Sequence, residues 1–190
     1  SEREILRSLK SWLPTIIRSG ETDLYVFYAG HGMPAADGSS AYIVPYDGDV
    51  TLLEDTAISR DRFFKEIGVW NPRSATFFFD SCFSGATRSE ELLIAARPLG
   101  IKVQDDEVPD NFVVFNAGES DQIAGVIDEV RHGRFSYFLF KGLEGAADAN
   151  QDSKISAEEL HSYVREQVTR FSAGSQTPQV MGDKSGWVIN

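Results

Sequence analysis

FFFDSCFSG, residues 77–85, is the stretch that decides how this chain folds. Three phenylalanines run into Asp80, Ser81 and Cys82, and Phe83, Ser84 and Gly85 follow. An apolar run of this length, stopped by small turn-forming residues, has the pattern of a strand buried on both faces. Cys82 stands where that strand stops, and it is the sole cysteine among 190 residues. Two readings of such a thiol are open. It is a small buried hydrophobe, or it is a nucleophile presented at the carboxyl end of a sheet, where α/β folds bind their ligands.

Working outward, DLYVFYAG (23–30) and NFVVFNAG (111–118) repeat the buried-strand pattern. AYIVPYD (41–47) and SGWVIN (185–190) are shorter strand candidates. Helical spacing of apolar residues covers 2–18, with Pro14 a kink or junction. Further helices are predicted over 59–67, capped by Ser59, over 133–147 and over 156–171. Strands alternating with helices define an α/β domain whose mostly parallel central sheet is flanked by helices. The length suits one domain, 1–190, with a core that needs no covalent staples.

Composition narrows the partners. The formal net charge is −11, with 42% hydrophobic and 25% charged residues. Such a surface repels phosphate backbones, which argues against nucleic acid and for cationic partners. No apolar run reaches the roughly 18 residues of a membrane-spanning helix. One cysteine excludes an internal disulfide and any zinc site with two thiolates. A cytoplasmic location is the expectation.

Two predicted strands end in reactive side chains: His31 after YVFYAG and Cys82 after TFFFDS. An imidazole beside a thiol takes its proton and makes it a nucleophile. The oxyanion that forms next needs backbone N–H donors, and Gly32 and Gly85 lie where a turn exposes them. Taken alone, each residue has a plainer reading, the cysteine as core and the histidine as a surface or capping residue.

YAGHG (28–32) and DSCFSG (80–85) resemble the His and Cys motifs of the caspase-like cysteine peptidases, with bacterial homologues and metacaspases the nearest in pattern. The histidine precedes the cysteine by 82 − 31 = 51 residues, against about 50 in the caspase signature. VPYD (44–47), ESDQIAG (119–125), HGRFSYFL (132–139) and QTPQ (176–179) also resemble bacterial members. The resemblance implies a caspase-like fold and a cysteine endopeptidase that needs no cofactor for its chemistry. It implies Cys82 as nucleophile, His31 as proton carrier, and the N–H groups of Gly32 and Cys82 as oxyanion hole. It implies that Asp80 forms an acidic pocket for Arg or Lys at P1 of a protein or peptide substrate. Ala29 departs from the serine that metacaspases often carry there. The family also begins with a hydrophobic strand and a further acidic pocket residue upstream of the helix that opens this chain. That first strand, or a partner segment supplying it, is therefore expected outside the sequence.

DANQDSKISAEE (148–159) matches a calcium-binding loop. Asp148, Asn150 and Asp152 occupy positions one, three and five, Lys154 offers its carbonyl at seven, and Glu159 closes the loop at twelve. With its flanks it forms an EF-hand-like helix–loop–helix over 135–171, and Ca²⁺ is the expected ion. Ser153 departs from the glycine preferred at the sharp turn. Ser156 and Glu159 also fit a helix capping box, the plainer alternative. Asp47 and Asp55 fall near places where metacaspases bind activating calcium. His132 and His161 lack zinc-ligand spacing and are expected at the surface.

Two rivals to the peptidase follow from the same residues. One is a non-catalytic caspase-like module used for scaffolding or regulation. The other is a calcium-sensing domain. The long polar segment 86–110, with Arg88, Arg97 and Lys102, is a candidate region for self-cleavage.

Overall fold

In chain order the elements are α1 (Glu2–Arg7), β1 (Asp23–Pro34), β2 (Ala41–Val44), α2 (Leu53–Thr56), β3 (Ile58–Ser59), α3 (Arg60–Gly68), β4 (Ser74–Cys82) and β5 (Phe112–Asn116). They continue as β6 (Val126–Ile127), β7 (His132–Gly133), α4 (Arg134–Lys141), β8 (Ile155–Ser156), α5 (Ala157–Phe171), β9 (Gln179–Gly182) and β10 (Trp187–Ile189). The computed structural model describes residues 1–83, 107–120, 122–127, 132–184 and 186–189.

The three predicted buried strands form the middle of one six-stranded sheet, ordered β3-β2-β1-β4-β5-β9. A mostly parallel sheet is what the strand–helix alternation predicts, and it describes the centre: β1 with β4, and β4 with β5. The flanks are antiparallel, so the sheet is mixed. The short return from Pro34 to Ala41 explains one flank, since a parallel crossover needs a dozen residues or more. The other flank, β9, has no counterpart among the sequence-predicted strands. The predicted final strand forms as β10 but pairs with β8, outside the central sheet.

β4 shows why FFF marks the fold. Successive side chains of a strand point to opposite faces. Phe77 and Phe79 enter a core with Phe64, Phe83, Phe112, Leu9 and Leu13. Phe78 and Cys82 enter a second core with Phe115, Leu139, Leu160 and Val164. Phe77 and Phe79 are both fully buried, which stabilises the fold by about 1.5–3 kcal/mol for each ring. Phe64 and Phe77 pack in a T-shaped arrangement at a centroid distance of 4.9 Å. Arg60 stacks its guanidinium 4.8 Å from the Phe83 ring, extending this aromatic cluster to the end of the strand.

The helices start where capping residues permit. Ser59 Oγ accepts from the Arg62 N–H, and Ser156 with Glu159 forms a reciprocal capping box on α5. The predicted helix over 2–18 is shorter and irregular. After α1 it widens into a π-helical turn at Ser8–Trp12, then tightens into a 3₁₀ turn at Leu13–Thr15 around Pro14, which has no N–H to give. The helix predicted over 133–147 is α4 followed by a π turn, Gly142–Ala146, where Gly145 takes φ +115°.

Candidate active site

From sequence, the first strand ends at Gly30 and His31 sits in a turn. In the structure β1 runs on to Pro34, because β2 folds back on residues 31–34 and gives them ladder partners. His31 is therefore a strand residue, opposite Val44 on one side and Cys82 on the other. Two glycines make this possible. A β-carbon at Gly30 would lie 2.6 Å from the Tyr28 hydroxyl, and one at Gly32 would lie 2.6 Å from the Cys82 carbonyl and against the Phe83 ring. Tyr28 reaches over Gly30, and its hydroxyl donates to the carbonyls of His31 (2.8 Å) and Val44 (2.9 Å). Burial pushes the phenol up to about 12, so it stays a donor at any physiological pH.

Residues directly opposite on adjacent strands project to the same face. His31 and Cys82 thus share one face at the carboxyl end of the parallel pair. Asp80, opposite Ala29, lies on that face one step back. On β1 the row is open, with His31 and Ala29 exposed; on β4 it is closed, with Cys82 6% and Asp80 1% accessible. Residues 122–125 close over the thiol. The Ala124 N–H donates to Cys82 Sγ at 2.7 Å, and the Ala124 carbonyl lies 3.9 Å from the same sulfur.

Asp80 is held from α4. The Ser136 hydroxyl donates to its Oδ2, and Gly133 packs against the carboxylate with no room for a side chain. Tyr28, Ala124, Ser136 and Gln176, which contact these residues or the loop over Cys82, are not singled out by sequence pattern. Ser84 and Gly85, together with Arg88, Arg97 and Lys102 of the long segment, lie outside the described residues.

The loop 148–159 is folded on its own backbone. The Asp148 carboxylate accepts from the N–H groups of Asp152 (3.2 Å) and Ser153 (3.0 Å). Asn150 Oδ1 accepts from Asp152 N–H, and Asp152 Oδ1 accepts from Lys154 N–H, each at 2.9 Å. Ser153 takes φ +66°, the left-handed turn for which calcium loops prefer glycine, at a cost of about 1–2 kcal/mol. Glu159 is drawn to Ser156, accepting from its N–H (3.0 Å) and hydroxyl (2.8 Å). These bonds, the backbone one foremost, hold the carboxyl below its usual range. The donors are hard oxygens of the kind calcium takes. Among the described residues no three His, Cys, Asp or Glu side chains converge as a ready metal site. Asp47 and Asp55 are exposed.

His132 is exposed, but His161 departs from the surface position expected for it. It is half-buried on α5, its Nε2 is 3.3 Å from the Pro178 carbonyl, and burial lowers its pKa. An apolar cleft of about 490 Å³ opens on the same sheet face further back along β1, lined by Tyr25, Phe27, Phe78 and Leu139 among others. None of the predicted site residues lines it.

This geometry has relatives. The family model of the caspase domain matches residues 1–184, and the chain belongs to that family of cysteine peptidases. It is therefore a cysteine-type endopeptidase, a class that acts on protein substrates. Among solved structures it is similar in fold to caspase-1 from Spodoptera frugiperda, at 14% identity and a TM-score of 0.58, covering 100% of this chain and 72% of that one. No curated protein gives a significant sequence match.

Proposed function

We propose that the chain cleaves peptide bonds with Cys82 as nucleophile and His31 as proton carrier, preferring Arg or Lys at P1. The observation that carries this reading is the register that sets His31 opposite Cys82 at the end of the parallel pair. The Cys82 thiolate adds to the scissile carbonyl carbon, and the carbonyl electron pair moves to oxygen. The N–H groups of Gly32 and Cys82 are the donors assigned to that oxyanion. The intermediate collapses, the C–N bond breaks, and the leaving amine takes a proton from the His31 imidazolium. Water then attacks the thioester as His31 removes its proton, and acid product leaves with Cys82 restored.

Asp80 supplies the negative charge for a basic P1 side chain. Its support is the burial of a carboxylate on the face shared by His31 and Cys82, beside the exposed Ala29. A basic peptidyl chloromethyl ketone tests the reading: alkylation of Cys82, seen by mass spectrometry, is expected from an Arg reagent and not from its Asp counterpart. Labelling by the Asp reagent alone would reverse the specificity, and no labelling by either would end the assignment of Cys82.

Calcium is the modulator assigned to loop 148–159, through Asp148, Asn150, Asp152, the Lys154 carbonyl and Glu159. The support is the match of donor type and spacing, and titration calorimetry with Ca²⁺ tests it. Self-cleavage after Arg88, Arg97 or Lys102 is the second regulatory step proposed. N-terminal sequencing of fragments from the wild type, absent from Cys82→Ala, is its test.

A further inference from the structure

Three segments that resemble family members, but have no task in the chemistry above, meet at one residue. Gln176 opens QTPQ, Gly125 closes ESDQIAG and Arg134 lies in HGRFSYFL. Gln176 is fully buried. Its Oε1 accepts from the Gly125 N–H (3.0 Å) and from Arg134 Nη1 (3.1 Å), and its Nε2 donates to the Ala117 carbonyl just past β5 (2.8 Å). A second glutamine answers from the other side. Gln122 Oε1 accepts from the Thr177 N–H at 2.6 Å and from the Glu119 N–H at 3.2 Å. The Arg134 N–H donates to the Gly125 carbonyl at 2.9 Å, and a β-carbon at Gly125 would sit 2.7 Å from the guanidinium. The stretch clamped in this way is the one whose Ala124 N–H donates to Cys82 Sγ.

We propose that Gln176 is a positioning residue, holding residues 122–125 so that the Ala124 N–H stabilises the thiolate of Cys82. The inference rests on Cys82 being the nucleophile. Burial at 6% accessibility disfavours a charged sulfur, and a hydrogen bond to the anion opposes that penalty. The titratable groups on the described segments around the thiol are His31 on β1, Asp80 on β4, Glu119 after β5, His132 on β7 and Arg134 at the start of α4. Protonated His31 and Arg134 favour the thiolate, and Asp80 and Glu119 oppose it. The amide has no titration of its own, so its contribution persists where the imidazole is neutral.

The test is the rate of Cys82 alkylation by iodoacetamide against pH, on the full chain. In the wild type the midpoint is expected below the usual thiol value of about 8.5. Gln176→Met keeps length and removes the hydrogen bonds. Its midpoint should rise by about one pH unit, leaving roughly ten-fold less thiolate at neutral pH. A folded Gln176→Met with an unmoved midpoint overturns the inference. Should that variant fail to fold by circular dichroism, His31→Ala decides. A midpoint still below about 8.5 supports the amide, and one at or above it overturns the inference. Peptide hydrolysis is measured separately. A lowered midpoint that Gln176→Met raises, without hydrolysis, removes the peptidase role of Cys82 and leaves the role of Gln176 supported.

Discussion

Gly133 lies so close to Asp80 that a β-carbon there would overlap the carboxylate Oδ2, the oxygen to which Ser136 donates. The start of α4 is therefore shaped around an acid that strand β4 delivers. Gly133→Ala is expected to push the carboxylate or the helix aside, at a cost of about 1–3 kcal/mol in thermal unfolding. Ser136→Ala should cost a similar amount, because a buried carboxylate loses a donor. Asp80→Asn should lower kcat/KM on P1 Arg substrates by about 10- to 100-fold, with little change on uncharged ones. Equal losses on both substrates would mean that Asp80 only supports the fold.

Cys82→Ala and His31→Ala are each expected to lower turnover on the order of 10⁴-fold or more, while the unfolding transition stays cooperative. Members of one catalytic unit are not additive, so the double variant should be little worse than either single one. Near-native hydrolysis by Cys82→Ala would show that another group performs the attack.

Glu159 caps α5 in this structure, and the calcium site proposed above draws on the same carboxylate. Ser156→Ala should destabilise the protein by about 0.5–2 kcal/mol, as cap removals do. At the proposed calcium site it should bind Ca²⁺ more tightly, because Glu159 then has one bond fewer to give up, the one from the Ser156 hydroxyl. The cap has a defined pH signature. The Glu159 carboxyl is held below its usual value, so its contribution is present above the ordinary carboxylate range and is lost as pH falls through the folded value. Stability curves of wild type and Glu159→Gln should therefore converge in acid, where the wild-type carboxyl is neutral as well. Parallel curves down to pH 2 would remove Glu159 from the cap.

His161 makes a prediction at milder pH. Burial lowers its pKa from 6.5, so the unfolded chain binds the proton more readily than the folded one. Stability is expected in full above about 6.5 and to decline as pH falls below it. His161→Gln should flatten that part of the profile in chemical denaturation. A slope that survives the substitution would belong to another group.

Much of the fold is legible in sequence because burial on both faces leaves continuous apolar runs. YVFYAG, TFFFDSC and FVVFN occupy the central sheet as their composition indicates. β9 was not legible, since four residues, QVMG, on a sheet flank carry neither an apolar run nor a clean alternation. The candidate pair His31 and Cys82 is picked out by residue type at the ends of the predicted strands. Their supports are not, because Ala124 touches Cys82 through its backbone and Gln176 reaches Gly125 across 51 residues of chain. A backbone donor has no residue type by which to be recognised. The loop 148–159 was legible as donors in order, but not as the set of self-bonded oxygens that the structure contains.

The parallel ladder from Asp23 opposite Ser74 to His31 opposite Cys82 has a genetic corollary. Which residue faces the thiol is settled by counting nine rungs along two strands. Deleting one residue between 24 and 30 would bring Gly32 opposite Cys82, while the substitution of any one of those residues leaves the count intact. Frame-preserving deletions in this short stretch should therefore abolish activity at positions where amino-acid replacements are tolerated. That contrast is readable in a mutational scan without any structure of the variants.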